Sequence, residues 1–140
     1  MDGLPNVKVG DIAEFEKKVT QEDIEAFARV SGDTNPLHTD PAYAAKTRFK
    51  EPIAHGMLSA SFISAVLGTK LAPDCCAVYL SQSLRFLRPV KAGDTIKAIA
   101  EVKGIEPEKR IYTIETNCFN QRGEAVVKGE AVVLLDPVEP

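Results

Sequence analysis

The chain has 140 residues, of which 44% are hydrophobic and 26% charged, and its formal net charge is −3 with a pI near 5.4. This length suits one domain with one core, so we expect residues 1–140 to form a single domain. The acidic balance argues against a nucleic-acid partner, since binding to phosphates requires a basic face.

Features of secreted and membrane proteins are missing from the sequence. No basic segment followed by an apolar run opens the chain, and the longest apolar stretch, near residues 57–67, is interrupted by serines and too short to cross a bilayer. Three cysteines, an odd number, form no CxxC motif. We therefore expect a cytoplasmic protein that does not associate with membranes, in which Cys75, Cys76 and Cys118 are small apolar groups.

The first predicted elements are a strand and a helix. Residues 11–19 alternate between apolar and polar side chains, as in a half-buried strand. Thr20 and Asp23 have the spacing of a capping box, which predicts a short amphipathic helix over about residues 21–30, ended by Gly32.

The segment Val30–Pro41 holds one of the two histidines in a predicted loop between helices. Asp33 and His38 lie on either side of the stiff Asn35–Pro36 corner, so both side chains can point at one place. A carboxylate and an imidazole that share a proton path can carry out general acid–base catalysis. The alternative is that Asp33 caps a turn and His38 has a structural role.

A second helix is predicted to start at Asp40–Pro41, and the most hydrophobic helix to run from Gly56 to Gly68. Apolar residues lie nearly all round the longer helix, so we expect it to be buried on most sides. Free amides collect at a helix start, where Gly56 lets a ligand approach the backbone, as in an oxyanion hole. Alternatively, Gly56 only relieves crowding there.

From residue 77 onward the apolar residues recur with a period of two. Strands are predicted over residues 78–87, 95–105, 111–120 and 125–135, with Gly129 as a bulge. Their short connections favour an antiparallel meander. With the first strand this makes an α+β fold, in which about five strands cover the apolar helix and an open edge favours pairing of two copies.

Three segments of the sequence together resemble a known family: residues 27–41, residues 52–57 and residues 79–94. The pattern Asp-x-Asn-Pro-x-His followed by His-Gly-Met is similar to that of the MaoC-like, (R)-specific enoyl-CoA hydratases of the hotdog fold. The similarity covers about residues 9 to 135. It implies a sheet wrapped around one long central helix, with a short helical overhang that carries the active-site loop.

The resemblance also implies a reaction and the residues that perform it. Asp33 and His38 would hold a water molecule against the β-carbon of a trans-2-enoyl thioester, and the amide of Gly56 would bind the thioester oxygen. The product would be an (R)-3-hydroxyacyl-CoA, formed without a metal or a redox cofactor, because CoA is part of the substrate. Asn35 and His55 are expected to support the site.

The resemblance extends to the acyl group, the carrier and the assembly. We expect Ser64 and Leu67 to line an acyl pocket, and the substrate to be an acyl-CoA or an acyl-ACP. The candidates for binding the CoA phosphates are Lys46, Arg48, Lys50, Arg85 and Arg88. A homodimer or a dimer of dimers is the expected assembly.

Two other classes of function stay open. On the same scaffold, a (3R)-hydroxyacyl-ACP dehydratase would use the same residues in reverse, and an acyl thioesterase would place a carboxylate on the long helix. No Asp or Glu lies between Gly56 and Gly68, which counts against the thioesterase. The other class is a non-catalytic acyl-CoA-binding module, for which an intact acid–base pair has no purpose.

Overall fold

The computed structural model describes residues 5–139. Its strands are β1 (Ile12–Lys18), β2 (Cys75–Phe86), β3 (Thr95–Glu106), β4 (Ile111–Phe119) and β5 (Ala125–Pro137). Its helices are α1 (Gln21–Ser31), α2 (Pro36–Thr39), α3 (Pro41–Ala44) and α4 (Gly56–Val66), which continues as a π-helical segment, Leu67–Leu71.

The five strands form one antiparallel sheet in the order β1-β3-β4-β5-β2. The predicted meander is therefore right only for β3, β4 and β5. The expected hairpin between β2 and β3 is wrong, because β1 and β4 occupy the two sides of β3. β2 instead pairs with the free side of β5, which makes β1 and β2 the two edges of the sheet.

The core lies between the sheet and α4, which packs against β1, β3 and β4. The inward side chains of β3 confirm the predicted alternation, since Ile96, Ala98, Ala100 and Val102 are all fully buried. The alanines leave room for the helix, and burial of each large aliphatic side chain contributes about 1.5–3 kcal/mol. A five-stranded antiparallel sheet around one helix confirms the expected hotdog fold.

α4 is buried on most sides, as its composition predicted, with six of its eleven residues buried: Leu58, Ser59, Ala60, Phe62, Ile63 and Val66. One narrow stripe along it is exposed: Met57, Ser61, Ser64 and Gly68. These residues recur at intervals of three and four, so they share one helix face.

None of the helices within residues 5–139 has both the length and the hydropathy of a membrane-spanning segment.

The overhang before α4 is built from side-chain caps. Thr20 and Asp23 form the predicted capping box, and Gly32 ends α1 in the left-handed conformation with φ of 83°. The segment predicted as a loop contains one turn of helix, α2, because the Asn35 side chain caps it and a proline occupies its first position. Asp40 then caps α3, as predicted.

Gly129 is not a bulge, which corrects the prediction for the last strand. It pairs in regular register with Leu84 on one side and Thr116 on the other. A Cβ atom on Gly129 would overlap the carbonyl oxygen of Ser83 and lie 2.9 Å from Nε2 of Gln82. A glycine is required here because β2 approaches β5 too closely for a side chain.

We predict that Gly129→Ala lowers the free energy of unfolding by about 1–3 kcal/mol, the usual cost of an overpacked site. Chemical denaturation at a fixed protein concentration measures this change. Gly104→Ala is the matched control in β3, where the added Cβ meets Thr113 at an ordinary 3.9 Å. Equal denaturation midpoints for the two variants would contradict the packing argument.

Candidate active site

The overhang brings Asp33 and His38 together, as the sequence predicted. Oδ2 of Asp33 lies 4.0 Å from Nε2 of His38, and the two side chains are 53% and 12% exposed. This separation is too long for a direct hydrogen bond. The space between the two atoms opens toward solvent on the Asp33 side.

The tautomer of His38 follows from its second nitrogen. Nδ1 lies 2.7 Å from the carbonyl oxygen of Ile53. A carbonyl only accepts, so Nδ1 carries the hydrogen and Nε2 of the neutral ring presents a lone pair toward Asp33. Two acceptors 4.0 Å apart can both be satisfied by one water molecule that donates a hydrogen to each.

Asn35 holds the loop in place rather than facing the pair. Its side-chain Oδ1 accepts a hydrogen bond from the backbone N–H of Leu37 at 2.9 Å. Its backbone N–H donates to Oδ1 of Asp33 at 3.3 Å. The two oxygens of Asp33 therefore have separate tasks. Oδ1 caps the turn, as the alternative interpretation proposed, while Oδ2 faces His38.

The start of α4 differs from the starts of the other helices. Side chains cap α1, α2 and α3, whereas in the described part of the chain no side chain caps α4. The first amides of α4, beginning with that of Gly56, therefore remain available to a ligand at the positive end of the helix dipole. Gly56 also relieves crowding, as the alternative interpretation proposed, because a Cβ atom at this position would lie 2.7 Å from the ring of Phe86.

A cavity of about 470 Å³ opens at this helix start. Its polar lining includes His55, Gly56 and Ser59, and its apolar lining includes Phe49 and Phe86. The acid–base pair does not line the cavity but lies directly behind it. Ile53 and His55 of the lining contact His38, the former through its carbonyl and the latter by ring stacking.

Only two of the five cations proposed for the CoA phosphates line the cavity, Arg48 and Arg88. Arg88 donates to the carbonyl oxygen of Ala125 at 2.8 Å and lies 3.9 Å from a carboxylate oxygen of Glu124. Arg48 lies over the ring of Phe49 at 5.4 Å. The remaining three are exposed but do not line the cavity: Lys46, Lys50 and Arg85.

The two residues proposed for an acyl pocket have different surroundings. Ser64 lies on the exposed stripe of α4, two turns beyond Gly56. Leu67 is buried in the core, with 3% of its surface exposed. Neither lines the cavity at the helix start.

Ser59, a small residue in the first turn of α4, also belongs to the site. It is 1% exposed, it lines the cavity, and its hydroxyl has no hydrogen-bond partner among residues 5–139. Ser61, by contrast, bonds back to the carbonyl oxygen of Leu58. Ser59 follows Gly56 by three residues, and this spacing places both on one helix face.

Asp33, His38 and His55 each offer one ligand atom within 4.8 Å of the others, which raises the question of a metal site. The two imidazoles are stacked, with centroids 3.7 Å apart and planes inclined by 23°. Their in-plane lone pairs lie in nearly parallel planes and do not converge as tetrahedral metal coordination requires. The arrangement favours acid–base chemistry over metal binding.

Cys118, the cysteine nearest to this site, is not an activated nucleophile. Burial raises the pKa of Cys118 to about 12, and its thiol lies 3.6 Å from the carbonyl oxygen of Ser59. Cys75 is half-buried and Cys76 is exposed near the start of β2. A thiol as deeply buried as Cys118 behaves as an apolar packing group.

Comparison with known proteins shows the family to which the chain belongs. A family model described as MaoC like domain matches residues 8–122. The (R)-specific enoyl-CoA hydratase of Rhodospirillum rubrum is 48% identical over 130 residues, which cover 93% of this chain and 89% of that protein. The protein of the same name from Aeromonas caviae is 46% identical, with coverage of 93% and 96%.

A solved structure extends the similarity to the whole fold. The unliganded R-hydratase PhaJ1 of Pseudomonas aeruginosa superposes with a TM-score of 0.88 at 45% identity, covering 99% of this chain and 92% of that one. The family match and the identities over most of the chain agree with the hotdog architecture. The chain belongs to the MaoC-like domain family.

Proposed function

We propose that the protein is an (R)-specific enoyl-CoA hydratase, which adds water to a trans-2-enoyl-CoA to give an (R)-3-hydroxyacyl-CoA. The observation that supports this most directly is the pair of acceptors, the Asp33 carboxylate and Nε2 of His38, beside the uncapped start of α4. The names of the relatives described above point to the same reaction. No metal or redox group takes part in the proposed route.

The acid–base pair activates the water and returns a proton to carbon. One water molecule donates its hydrogens to Oδ2 of Asp33 and Nε2 of His38. Its oxygen bonds to the β-carbon as the pair takes one proton, and the electrons of the double bond move onto the α-carbon and the thioester oxygen. A proton from the pair then bonds to the α-carbon, so that the elements of water are added and the pair is restored. Such positioned groups contribute about 10²–10⁴-fold in rate.

The negative charge that develops on the thioester oxygen is placed at the start of α4. The amide of Gly56 donates a hydrogen bond to this oxygen, and the helix dipole adds to the stabilisation. One donor of this type contributes about 10²–10³-fold. The same charge would develop during dehydration, so a dehydratase of acyl-ACP thioesters remains the alternative for this site.

In the proposed complex, the CoA phosphates and the acyl chain extend from Gly56 in different directions. The CoA phosphates lie toward Arg48, the cavity cation that has no carboxylate within 4.0 Å in the described range. The acyl chain follows the exposed stripe of α4 past Ser64, with Leu67 behind it. α4 contains no Asp or Glu, which argues against a thioester hydrolase.

A homodimer formed through β2 would cover the exposed apolar edge of the sheet at that strand. This edge strand and the residue after it expose five large apolar side chains by 38–52%: Val78, Tyr79, Leu80, Phe86 and Leu87. A flat apolar sheet edge favours strand pairing, and a two-fold axis pairs it with its own copy. Phe86 and Leu87 also line the cavity, so the partner would complete the substrate site.

We predict that Asp33→Asn and His38→Ala each lower the rate of crotonyl-CoA hydration by about 10²–10⁴-fold, because each removes half of the acid–base pair. The loss of absorbance of the conjugated thioester follows the reaction. Glu25→Gln, on the exposed face of α1, is the control and should keep full activity. A folded Asp33 variant with wild-type turnover would contradict the mechanism.

We predict that Arg48→Ala raises KM for crotonyl-CoA about tenfold, as expected for the loss of one phosphate contact. The same variant should leave kcat/KM unchanged for the N-acetylcysteamine thioester, which has no phosphates. Lys109→Ala, an exposed cation in the turn between β3 and β4, is the matched control. Equal losses for both thioesters would show that Arg48 does not bind the phosphates.

We predict that Leu80→Asp converts a dimer into a monomer, because it places a charge in the apolar β2 edge. Sedimentation velocity at a fixed concentration measures the mass. Ile12→Asp is the control, since Ile12 is 58% exposed on the opposite edge strand, β1. A monomeric wild-type protein, or a Leu80→Asp variant that remains dimeric, would exclude this interface.

A further inference from the structure

His55 is a buried imidazole that contacts the catalytic loop on two sides. It is 3% exposed, and its Nε2 lies 2.9 Å from the carbonyl oxygen of Asp33. One face of its ring stacks on His38 at 3.7 Å, and Phe27 packs against it at 4.9 Å. One side chain thus touches the backbone of the proposed carboxylate and the ring of the proposed imidazole.

The hydrogen-bond partners give the two histidines opposite tautomers. The carbonyl of Asp33 only accepts, so Nε2 of His55 carries the hydrogen and donates it. Nδ1 of the neutral ring is then an acceptor, and it is buried without a partner among residues 5–139. In His38 the hydrogen is on Nδ1 and the free nitrogen is Nε2.

His55 also precedes α4, the helix whose first amide is proposed to bind the thioester oxygen. It occupies the N-cap position of α4, yet its side chain does not cap the helix and bonds to the Asp33 loop instead. This single residue therefore connects the amide of Gly56 to the acid–base pair. The distance between the developing negative charge and the water-binding pair depends on that connection.

We infer that His55 is a positioning residue for the hydration, an inference that rests on the proposed function. Its N–H holds the Asp33 peptide in place, and its ring face sets the plane in which Nε2 of His38 presents its lone pair. It exchanges no proton with the substrate, since Nε2 is bonded to Asp33 and Nδ1 is inaccessible to solvent. Small displacements of catalytic groups by a distant change can cost about 10²-fold in rate.

Two substitutions separate the hydrogen bond from the packing. His55→Phe keeps a ring against His38 and removes the donor, and we expect kcat to fall about 10- to 100-fold with KM for crotonyl-CoA nearly unchanged. His55→Gln keeps an N–H near the position of Nε2 but lacks the ring, so it should recover part of that loss. A folded His55→Phe variant with wild-type kcat would overturn the inference.

A spectroscopic test needs no substrate. His38 and His55 are the only histidines in the sequence, so an untagged protein labelled with ¹⁵N gives two imidazole spin systems. We expect one ring protonated at Nδ1 and the other at Nε2. In His55→Phe we expect His38 to keep its Nδ1 hydrogen, which the Ile53 carbonyl fixes, and its imidazole signals to broaden because the Asp33 loop has lost its anchor. Both rings in one tautomer, or an unaltered His38 signal in His55→Phe, would contradict the positioning role. This readout stays informative if the protein proves inactive on enoyl-CoA, so the inference and the proposed function can fail separately.

Discussion

The hydrogen bond between Nδ1 of His38 and the carbonyl oxygen of Ile53 is the contact on which the site depends. It is 2.7 Å long, and it joins the overhang to the chain segment that enters α4. Because it fixes the hydrogen on Nδ1, it leaves Nε2 as an acceptor facing Asp33. Without it the ring could present either nitrogen, and the pair could not hold a water molecule in one orientation.

The sheet and the central helix make this contact possible by placing the start of α4 beside the overhang. The small side chains Ala98 and Ala100 of β3 let α4 lie close to the sheet, and the amide of Ala54 donates to the carbonyl oxygen of Val90 in the crossover from β2 to β3. The same crossover carries the end of β2 toward the cavity. The helix start is therefore held from both sides while its first amides stay uncapped.

Local features of the fold could be predicted from the sequence because they depend on neighbouring residues. The capping box at Thr20, the cap at Asp40 and the alternation in β3 appear as expected. The predicted hairpin between β2 and β3 is wrong, because strand order depends on which sheet edges are already occupied. The predicted bulge at Gly129 is wrong, because a close approach of two strands leaves no local pattern. The exposed stripe on α4 was missed for the same reason, since an apolar composition does not reveal which face another element covers.

The groups present at the site could be read from the sequence: a carboxylate and an imidazole on either side of a rigid corner, and a glycine at the start of an apolar helix. Their spacing in the chain is short enough for local geometry to aim Asp33 and His38 at one point. Three further properties come from the folded chain alone: the tautomers of the histidines, the stacking of His55 on His38, and which of the five cations line the cavity. These properties depend on carbonyl groups and rings from distant parts of the chain, because a side chain takes its hydrogen-bonding role from the partner that folding places beside it.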